Sequence, residues 1–397
     1  MVKKKTKEEP IKSEKKEKKE VKETSLFSKA MAMIATDHGD RAMRSLTEMK
    51  KEKILGWSSG SLLVDWVISP KSGGMNRGQV IEFWGPYSSG KTTVALGLCA
   101  NVTANGLHVL YADLEGSLLP ESIINAGVDP EYFQVTQIPD GRELTKILAT
   151  LMKTGDVGLL VIDSLPFFEP IIEPKKGEDE ADPTKPKIAF AASFQTTALK
   201  YLGAIAREHN ITVVLINQIR KNLSGYGGGN IPYGGAAKDH LVSVRLRFSG
   251  KATNSTDKIT DSEGNLIGQY TTVIGDKNKT SVPMQEARVP LILGRGVDPY
   301  MEVALVSQQV GIVDGGGGRF KWSDSGEPIA HGISAFTKKL YEDKELYMSL
   351  RARCIEGLNI NYDKSLRIVN SFHNEKGEIN DSIKVDPSKI QLVEDEE

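Results

Sequence analysis

The sequence predicts an α/β fold in which a mostly parallel, twisted sheet carries helices on both of its faces. From about residue 60 to residue 296, segments with the composition of buried strands alternate with segments of helical periodicity. One predicted strand, residues 157–162, is almost continuously apolar, as a parallel strand covered on both faces should be. A glycine-rich loop also joins a predicted strand to a predicted helix, which is the context of a phosphate-binding loop.

The elements of this region follow the order of a doubly wound domain. The predicted strands are 80–84, 108–113, 157–162 and 211–216, and the predicted helices are 91–105, 120–126, 142–153 and 188–209. Three later strands, near 242–248, 269–274 and 289–293, follow one another without long helices. This succession indicates an extension of the sheet by antiparallel strands.

Two smaller pieces flank this core. Residues 25–35 place apolar side chains at helical spacing, which predicts a short helix that packs either on its own core or on a neighbouring subunit. Towards the C-terminal end, two helical segments, 300–309 and 334–350, enclose a predicted hairpin that carries Phe320 and Trp322. We interpret this region as a small C-terminal α+β domain.

Composition narrows the class of protein. The chain has 397 residues and a formal net charge of −1, so any binding of nucleic acid must come from local loops. A run of about 18 apolar residues is absent, so we expect no membrane span. The charged start does not resemble a secretory signal, and Cys99 and Cys354 have neither metal-ligand nor disulfide spacing. Together these features predict a cytoplasmic protein.

Residues 85–92, Gly-Pro-Tyr-Ser-Ser-Gly-Lys-Thr, match the P-loop pattern G-x-x-x-x-G-K-[ST] in full. Glycines in such a loop let backbone N–H groups turn towards phosphates, and the helix that follows adds partial positive charge. We expect Lys91 to reach the β- and γ-phosphates of ATP and the Thr92 hydroxyl to bind Mg²⁺. The expected nucleotide-binding residues are Gly85, Pro86, Tyr87, Ser88, Ser89, Gly90, Lys91, Thr92 and Thr93.

Carboxylates follow two of the predicted strands. Asp163 comes directly after strand 157–162, where a second Mg²⁺ contact is expected beside a P-loop, although a lone aspartate in this place is more often a helix cap. Glu115 lies just beyond strand 108–113 and is a candidate to orient and deprotonate the attacking water. From the residues alone, Asp113 competes with Glu115 for this role.

Five segments, taken in order, resemble the RecA family of bacterial and bacteriophage DNA strand-exchange recombinases. They are 59–62 with Asp65, the P-loop 85–93, Ile-Asn-Gln-Ile-Arg at 216–220, Gly-Gly at 234–235 followed by Ser-Val-Arg-Leu at 243–246, and Lys-Asn-Lys at 277–279. A P-loop alone occurs in very many proteins, whereas this ordered set is specific. The resemblance extends from about residue 25 to residue 358 and implies a RecA-like P-loop NTPase core.

The resemblance assigns roles to individual residues. Glu115 matches the catalytic glutamate of the family, which favours it over Asp113. Gln218 matches the glutamine that senses the γ-phosphate and relays the nucleotide state to a DNA-binding loop. Lys277 and Lys279 match lysines that contact the ATP of the adjacent subunit, where they would neutralise charge in the transition state as an arginine finger does.

The resemblance also implies two DNA-binding loops. In the second loop, residues 220–233, the candidate contacts are Arg220 and Lys221 for phosphates and Leu223, Tyr226 or Tyr233 for bases. The first loop, near 171–188, departs from the family because it is longer and acidic. The base pocket departs as well, since Ser122 stands where the family has a tyrosine that stacks on adenine.

These features predict a homo-oligomer that forms an ATP-dependent helical filament on single-stranded DNA and exchanges strands with homologous double-stranded DNA. The expected parts are a Lys/Glu-rich tail at 1–24, an oligomerisation segment at 25–58, the ATPase core at 59–297, the C-terminal domain at 298–360 and a tail with an acidic end at 361–397. The acidic end either keeps the protein soluble or competes with DNA for basic loops. Two other functions share this core, namely a hexameric helicase and a filament-binding mediator that uses ATP only as a structural ligand.

Overall fold

The computed structural model describes residues 25–39, 43–47, 54–171, 187–221, 230–233, 236–250, 257–261, 263–316, 318–369 and 390–391. The chain forms two compact units, Met1–Lys53 and Ile54–Glu397. The first unit contains helix α1 (Leu26–His38), whose start is capped by the Ser25 hydroxyl, which accepts a hydrogen bond from the Ser28 N–H at 3.2 Å. This confirms the helix predicted from residue 25. No helix in the described part of the chain is long and apolar enough to cross a membrane.

The second unit contains the remaining elements. Its strands are β1 (Gly56–Trp57), β2 (Met75–Asn76), β3 (Val80–Gly85), β4 (His108–Asp113), β5 (Phe133–Thr136), β6 (Val157–Asp163), β7 (Thr212–Lys221), β8 (Asn230–Pro232), β9 (Val244–Ser249), β10 (Lys258–Asp261), β11 (Leu266–Asn278), β12 (Glu286–Ile292), β13 (Gly296–Val297), β14 (Val313–Gly316), β15 (Arg319–Trp322), β16 (Pro328–His331) and β17 (Ile390–Gln391). Its helices are α2 (Leu62–Ile68), α3 (Lys91–Thr103), α4 (Pro120–Asn125), α5 (Gly141–Met152), α6 (Lys187–His209), α7 (Ala236–Leu241), α8 (Pro299–Gln309), α9 (Ile333–Glu342) and α10 (Lys344–Gly357). The predicted order of strands and helices from β3 to β7 is confirmed.

One large sheet positions the functional residues. Its main strand order is β13-β12-β11-β9-β3-β7-β6-β4-β5. In this spatial order, the six strands β9, β3, β7, β6, β4 and β5 pair in parallel with their neighbours. Beyond β9, the strands β11, β12 and β13 continue the sheet with antiparallel pairing. Strand β8 pairs with the last residues of β7, and β10 pairs with β11 and β17. The predicted α/β class with a mostly parallel sheet is therefore confirmed.

Alternation of side chains along the strands produces two apolar clusters. In one cluster, Ile81 and Phe83 of β3 pack with Leu98 of α3. In the other, Leu215 of β7 packs with residues of α5 and α6, among them Leu202. Helices thus cover both faces of the sheet, which explains why the central strands are apolar on both sides.

The strand predicted at 242–248 is present as β9, but the expectation that it runs antiparallel to the core is wrong. It lies parallel to β3, with Val244 opposite Ile81, and antiparallel to β11. A crossover between β7 and β9, which contains the short α7, returns the chain in the same direction and makes the parallel pairing possible. The short edge strand β5, parallel to β4, was not predicted from the sequence.

The C-terminal region differs from its sequence prediction in two elements. The predicted hairpin is a three-stranded antiparallel sheet, because β15 pairs with both β14 and β16. The prediction of one continuous helix over 334–350 is wrong, because the segment is divided at Asp343 into α9 and α10. The Asp343 carboxylate accepts a hydrogen bond from the Leu346 N–H at 2.9 Å and so starts a new helix.

A buried carboxylate joins the C-terminal region to the start of the core. Glu302 of α8 accepts hydrogen bonds from the backbone N–H groups of Leu62 at 3.0 Å and Leu63 at 3.1 Å, and from the Ser61 hydroxyl. It thereby binds the unpaired N–H groups at the start of α2. Burial nevertheless raises the pKa of Glu302 from 4.5 to about 7.

We predict that Glu302→Gln changes how stability depends on pH. Because the folded protein holds the Glu302 proton more tightly than the unfolded chain, the contribution of Glu302 to wild-type stability falls as pH rises from about 4.5 to about 7. Glutamine does not titrate. The free energy of unfolding of the variant, relative to that of the wild type, should therefore rise across this pH window by an amount on the order of 3 kcal/mol. Urea unfolding at several pH values from 4.5 to 8 measures the difference.

Glu342→Gln is the matched control, because the side chain of Glu342 is 63% exposed in its pair with Lys338. Its unfolding curve should keep the wild-type dependence on pH. Parallel stability profiles for Glu302→Gln and the wild type would contradict the assignment of a proton to Glu302.

Candidate nucleotide-binding site

The carboxyl ends of the parallel strands meet at one edge of the sheet. Ladder pairing places Gly85 of β3 beside Gln218 of β7, and Asp113 of β4 beside Asp163 of β6. Asp163 in turn lies opposite Ile216 of β7. The register of the sheet therefore brings the P-loop, the two aspartates and Gln218 together, at the edge where parallel α/β sheets bind ligands.

Two glycines allow the P-loop to fold tightly between β3 and α3. A Cβ atom on Gly85 would lie 2.3 Å from the Phe248 carbonyl oxygen, so a larger residue does not fit there. Gly90 has φ of +90°, and a Cβ atom there would lie 2.2 Å from a methyl carbon of Leu291. Helix α3 begins directly afterwards at Lys91. The P-loop predicted from the sequence thus has the strand–loop–helix geometry that phosphate binding requires.

Lys91 is held inside this loop. Its Nζ donates hydrogen bonds to the carbonyl oxygens of Gly85 at 3.1 Å and Pro86 at 2.6 Å. Burial lowers the pKa of the Lys91 ammonium to about 8, against the opposite effect of the negative charges of Asp163 and Glu115. Lys91 Nζ also lies 3.5 Å from the Ser89 hydroxyl oxygen. A phosphate brought to the loop would add a direct negative counter-charge to these neutral contacts.

Thr92 and Asp163 lie side by side. The Thr92 hydroxyl donates to Asp163 Oδ2 at 3.0 Å, and the Tyr111 hydroxyl donates to the same oxygen at 2.6 Å. Burial raises the pKa of Asp163, and the two hydroxyl groups act in the opposite direction. Tyr111 is fully buried, so it fixes the carboxylate against the start of α3.

This pair fits a magnesium ion that arrives with a nucleotide. Hydroxyl and carboxylate oxygens are the hard ligands that Mg²⁺ selects, and the ion commonly takes only one or two of them from a protein. Within the described ranges, no group of three or more His, Cys, Asp or Glu side chains is placed to hold a metal. A metal here would therefore depend on phosphate and water oxygens for its remaining ligands.

Glu115 and Asp113 have different surroundings. Asp113 is buried and accepts hydrogen bonds from the N–H groups of Ser117 and Leu118, both at 3.2 Å, so it fixes the loop after β4. Glu115 is exposed, and its Oε1 accepts from the Ser164 hydroxyl and from Gln218 Nε2, the latter at 2.6 Å. Of these two carboxylates, Glu115 is therefore the one that is exposed to solvent.

Gln218 lies between the P-loop and Glu115. Its Oε1 accepts a hydrogen bond from the Tyr87 hydroxyl, and its Nε2 donates to Glu115. Strand β7 continues past Gln218 to Arg220, which is exposed, and to Lys221. One strand therefore carries both the residue predicted to sense the γ-phosphate and the start of the predicted DNA loop.

A buried charge cluster holds the two ends of that loop together. Glu82 of β3 accepts hydrogen bonds from Asn217 Nδ2 and Arg245 Nε, both at 2.6 Å, and from Lys238 Nζ. Asn217 and Lys238 also donate to the carbonyl oxygen of Tyr233, at 2.7 and 2.8 Å. The chain leaves the core after Asn217 and returns at Tyr233, so Glu82 links both points to the strand that precedes the P-loop.

Of the remaining candidate DNA contacts, the structure describes some side chains and not others. The Tyr233 hydroxyl donates to Glu169 at 2.9 Å, and burial with this carboxylate raises the pKa of Tyr233 to about 12. Leu223, Tyr226 and the side chain of Lys221 lie outside the described residues. Most of the acidic first loop does so as well.

Lys277 and Lys279 contact helix α7 of their own chain. Lys277 Nζ donates to the Asp239 carbonyl oxygen, and Lys279 Nζ donates to the His240 carbonyl oxygen at 3.3 Å. Burial and the charge of Lys279 lower the pKa of Lys277. Their hydrogen bonds do not involve the P-loop of the same chain among the described contacts.

A cavity of about 210 Å³ adjoins the P-loop on the side of β12. Its lining includes Thr93, Leu291 and Leu293, and no aromatic ring belongs to its described lining. Ser122 lies on the short helix α4. Ser122 does not belong to the described lining of this cavity, so the structure does not join the cavity to the position where the family has its stacking tyrosine.

Sequence reasoning missed several residues of this site, among them Tyr111, Ser164 and Glu82. Tyr111 lies in a strand that reads as ordinary apolar core, and Ser164 follows an aspartate without any motif. Glu82 is a charged residue within a strand that the sequence predicts to be buried. Its presence there was the one feature of the sequence that could have indicated a buried polar cluster.

The comparisons with known proteins agree with these features. The family model of the RecA N-terminal domain matches residues 25–298. Among curated relatives, Protein RecA of Thermus aquaticus is 30% identical over 330 residues, which cover 82% of this chain and 92% of the relative. Protein RecA of Helicobacter hepaticus is 31% identical over 329 residues, which cover 82% and 91%.

A solved structure titled as the RadB recombinase aligns with 61% of this chain and 98% of its own, at 23% identity and a TM-score of 0.44. The family match covers more than half of the chain, and it includes the P-loop, Glu115, Asp163, Gln218 and the lysine pair. The chain therefore belongs to the RecA family of DNA strand-exchange recombinases.

Proposed function

We propose that the chain assembles head to tail into a helical filament on single-stranded DNA, hydrolyses ATP between subunits and exchanges strands with homologous double-stranded DNA in the cytoplasm. As a member of the RecA family it is a DNA-dependent ATPase of recombination and repair. The proposal adds the residues that perform each step and the assembly in which they act.

The observation that carries the proposal is the contact between Gln218 Nε2 and Glu115 Oε1 at 2.6 Å. Gln218 belongs to β7, which continues to Arg220 at the start of the candidate DNA loop. A change in how Gln218 contacts nucleotide therefore acts on the carboxylate that would handle the water and on the strand that leads to DNA. This arrangement supports a hydrolysis reaction that depends on DNA.

In the hydrolysis step, the P-loop N–H groups and Lys91 bind the phosphates of ATP. Thr92, with Asp163 beside it, would hold a Mg²⁺ ion, which when bound would supply positive charge to the phosphate oxygens. Glu115 orients the attacking water and accepts its proton. Lys277 and Lys279 of an adjacent subunit neutralise charge that develops in the transition state, which makes assembly a condition for hydrolysis.

DNA binding in this proposal uses the loop that β7 enters. Arg220 is exposed at its start and can meet phosphates. The Glu82 cluster fixes the two ends of the loop, so that contacts made within the loop are transmitted to Asn217 and Gln218. The small net charge of the chain agrees with binding by such local elements.

Two apolar surfaces support assembly. Helix α1 exposes large apolar side chains, among them Leu26, which is 85% exposed, and Phe27, which is 71% exposed. In the second unit, a cavity of about 500 Å³ at the sheet edge is lined by residues that include Val135 of β5 and Leu151 of α5. Exposed apolar surfaces of this kind mark protein contacts, and a head-to-tail contact that does not close gives a filament.

We predict that single-stranded DNA strongly increases ATP hydrolysis by the wild type and that Lys91→Ala abolishes the reaction. Loss of one preorganised donor to the transition state costs ~10²-fold or more. The measurement is steady-state phosphate release with and without single-stranded DNA, followed by a strand-exchange assay and electron microscopy. Full strand exchange by Lys91→Ala would refute the mechanism, and closed rings on DNA would favour a hexameric helicase.

We predict that Glu115→Gln lowers kcat by roughly 10²- to 10⁴-fold while nucleotide affinity stays near that of the wild type. The reason is that glutamine cannot accept the proton of the attacking water. Single-turnover hydrolysis and fluorescent-nucleotide titration measure the two quantities. Asp113→Asn is the control, because Asp113 fixes a backbone loop and should affect stability more than kcat. The assignment fails if Asp113→Asn stays stable and loses kcat while Glu115→Gln retains it.

We predict complementation between two inactive variants. Lys91→Ala lacks the P-loop cation, and the double variant Lys277→Ala with Lys279→Ala lacks the cations offered to a neighbour. In a randomly mixed filament, roughly one interface in four combines an intact P-loop with an intact lysine pair, so about a quarter of wild-type hydrolysis should return. If filaments mix, as shown by energy transfer between labelled subunits, and activity does not return, the lysines do not act across the interface.

A further inference from the structure

Tyr87 occupies the variable position of the P-loop, and its contacts give it a place in the reaction. Its hydroxyl hydrogen bonds to Gln218 Oε1, and Gln218 Nε2 donates to Glu115 Oε1 at 2.6 Å. We propose that Tyr87 is a positioning residue for hydrolysis, which orients the Gln218 amide and through it the Glu115 carboxylate. This inference rests on the proposed roles of Gln218 and Glu115.

The sheet places the two residues for this contact. Gly85 lies directly beside Gln218 in the parallel pairing of β3 with β7. Tyr87 follows Gly85 by two residues, so a long side chain at this position reaches over the end of β7. A phenol carries its hydrogen-bonding group at the end of a rigid ring, which makes it suited to bridge this distance.

The direction of each hydrogen bond follows from the chemistry of the groups. Glu115 Oε1 also accepts from the Ser164 hydroxyl, and a carboxylate oxygen only accepts. If the Gln218 amide were turned over, its Oε1 would face Glu115 Oε1 with no proton between them. The nitrogen must therefore face Glu115, which leaves Oε1 to accept from the Tyr87 hydroxyl.

The contact is not explained by packing. Tyr87 is 68% exposed, so its ring adds little to the apolar core. Among the described contacts its hydroxyl bonds to Gln218 alone. The side chain thus extends into solvent and ends on the residue predicted to sense the γ-phosphate.

Glu115 is consequently held from two sides. Ser164, which follows β6, donates from one side, and the Tyr87–Gln218 pair acts from the other. Both donors meet Oε1, so the orientation of the carboxylate and of its second oxygen depends on both. Loss of the Tyr87 hydroxyl frees the Gln218 amide to rotate and removes one of the two constraints on Glu115.

The test is Tyr87→Phe, which keeps the ring and removes the hydroxyl. We expect kcat for ATP hydrolysis on single-stranded DNA to fall roughly threefold to tenfold, the effect of one hydrogen bond. KM for ATP should change less than about twofold, since Lys91 and the P-loop backbone remain intact. Tyr201→Phe is the matched control, because Tyr201 is 47% exposed and its hydroxyl contacts Lys153 instead.

A double-mutant cycle separates positioning from a structural effect. If Tyr87 acts through Gln218, Tyr87→Phe should not lower kcat further in the Gln218→Ala background. Unchanged kcat in Tyr87→Phe, or the same loss in both backgrounds, overturns the inference. Absence of DNA-stimulated hydrolysis in the wild type, or a fully active Gln218→Ala, would instead overturn the proposed function. Thermal unfolding confirms that each variant is folded.

Discussion

Hydrogen-bonded register between the parallel strands is the constraint on which the site depends. Gly85, Asp113, Asp163 and Gln218 come from four strands that are distant in sequence, yet the ladder aligns these residues to within two positions. A slip of one residue in any strand would turn its side chains to the opposite face and separate the P-loop from its partners. The apolar clusters on both faces hold this register, so the stability of the core and the geometry of the site have the same origin.

The Glu82 cluster places charged side chains within one of these otherwise apolar faces of the sheet. A fully buried carboxylate is unfavourable unless cations and hydrogen bonds surround it, and here Lys238, Arg245 and Asn217 provide them. Removal of any one partner would leave a buried charge partly unpaired. The cluster therefore ties the return of the candidate DNA loop at Tyr233 to β3, because Asn217 and Lys238 each bond to both Glu82 and the Tyr233 carbonyl oxygen.

The sequence was sufficient to predict those parts of the site that lie within one short segment of the chain. The P-loop, Thr92 and Asp163 follow from a motif and a strand end, and the order of strands and helices follows from periodicity. Tyr111 and Ser164 were not predictable in this way, because their roles arise only when β4 and β6 lie side by side. The break between α9 and α10 is a different case, because a local feature was present in the sequence and the break was still not predicted. Asp343 was visible in the sequence, but neither proline nor glycine occurs between residues 333 and 356 to mark a break in the helix.

Position on a shared strand, rather than distance alone, explains how hydrolysis and DNA binding can depend on each other. Gln218 contacts Glu115, the carboxylate proposed to orient the water, and its neighbour Asn217 bonds to Glu82 and to the Tyr233 carbonyl. Asn217 Oδ1 also accepts a hydrogen bond from the backbone N–H of Gln218 at 2.9 Å, so the Asn217 side chain is tied to the strand at Gln218. In the proposed mechanism, a movement of β7 at Gln218 on nucleotide binding also displaces Asn217 and its contacts with Glu82 and the Tyr233 carbonyl oxygen. By reciprocity, DNA that fixes the loop favours one position of Gln218 and thus one state of the nucleotide site.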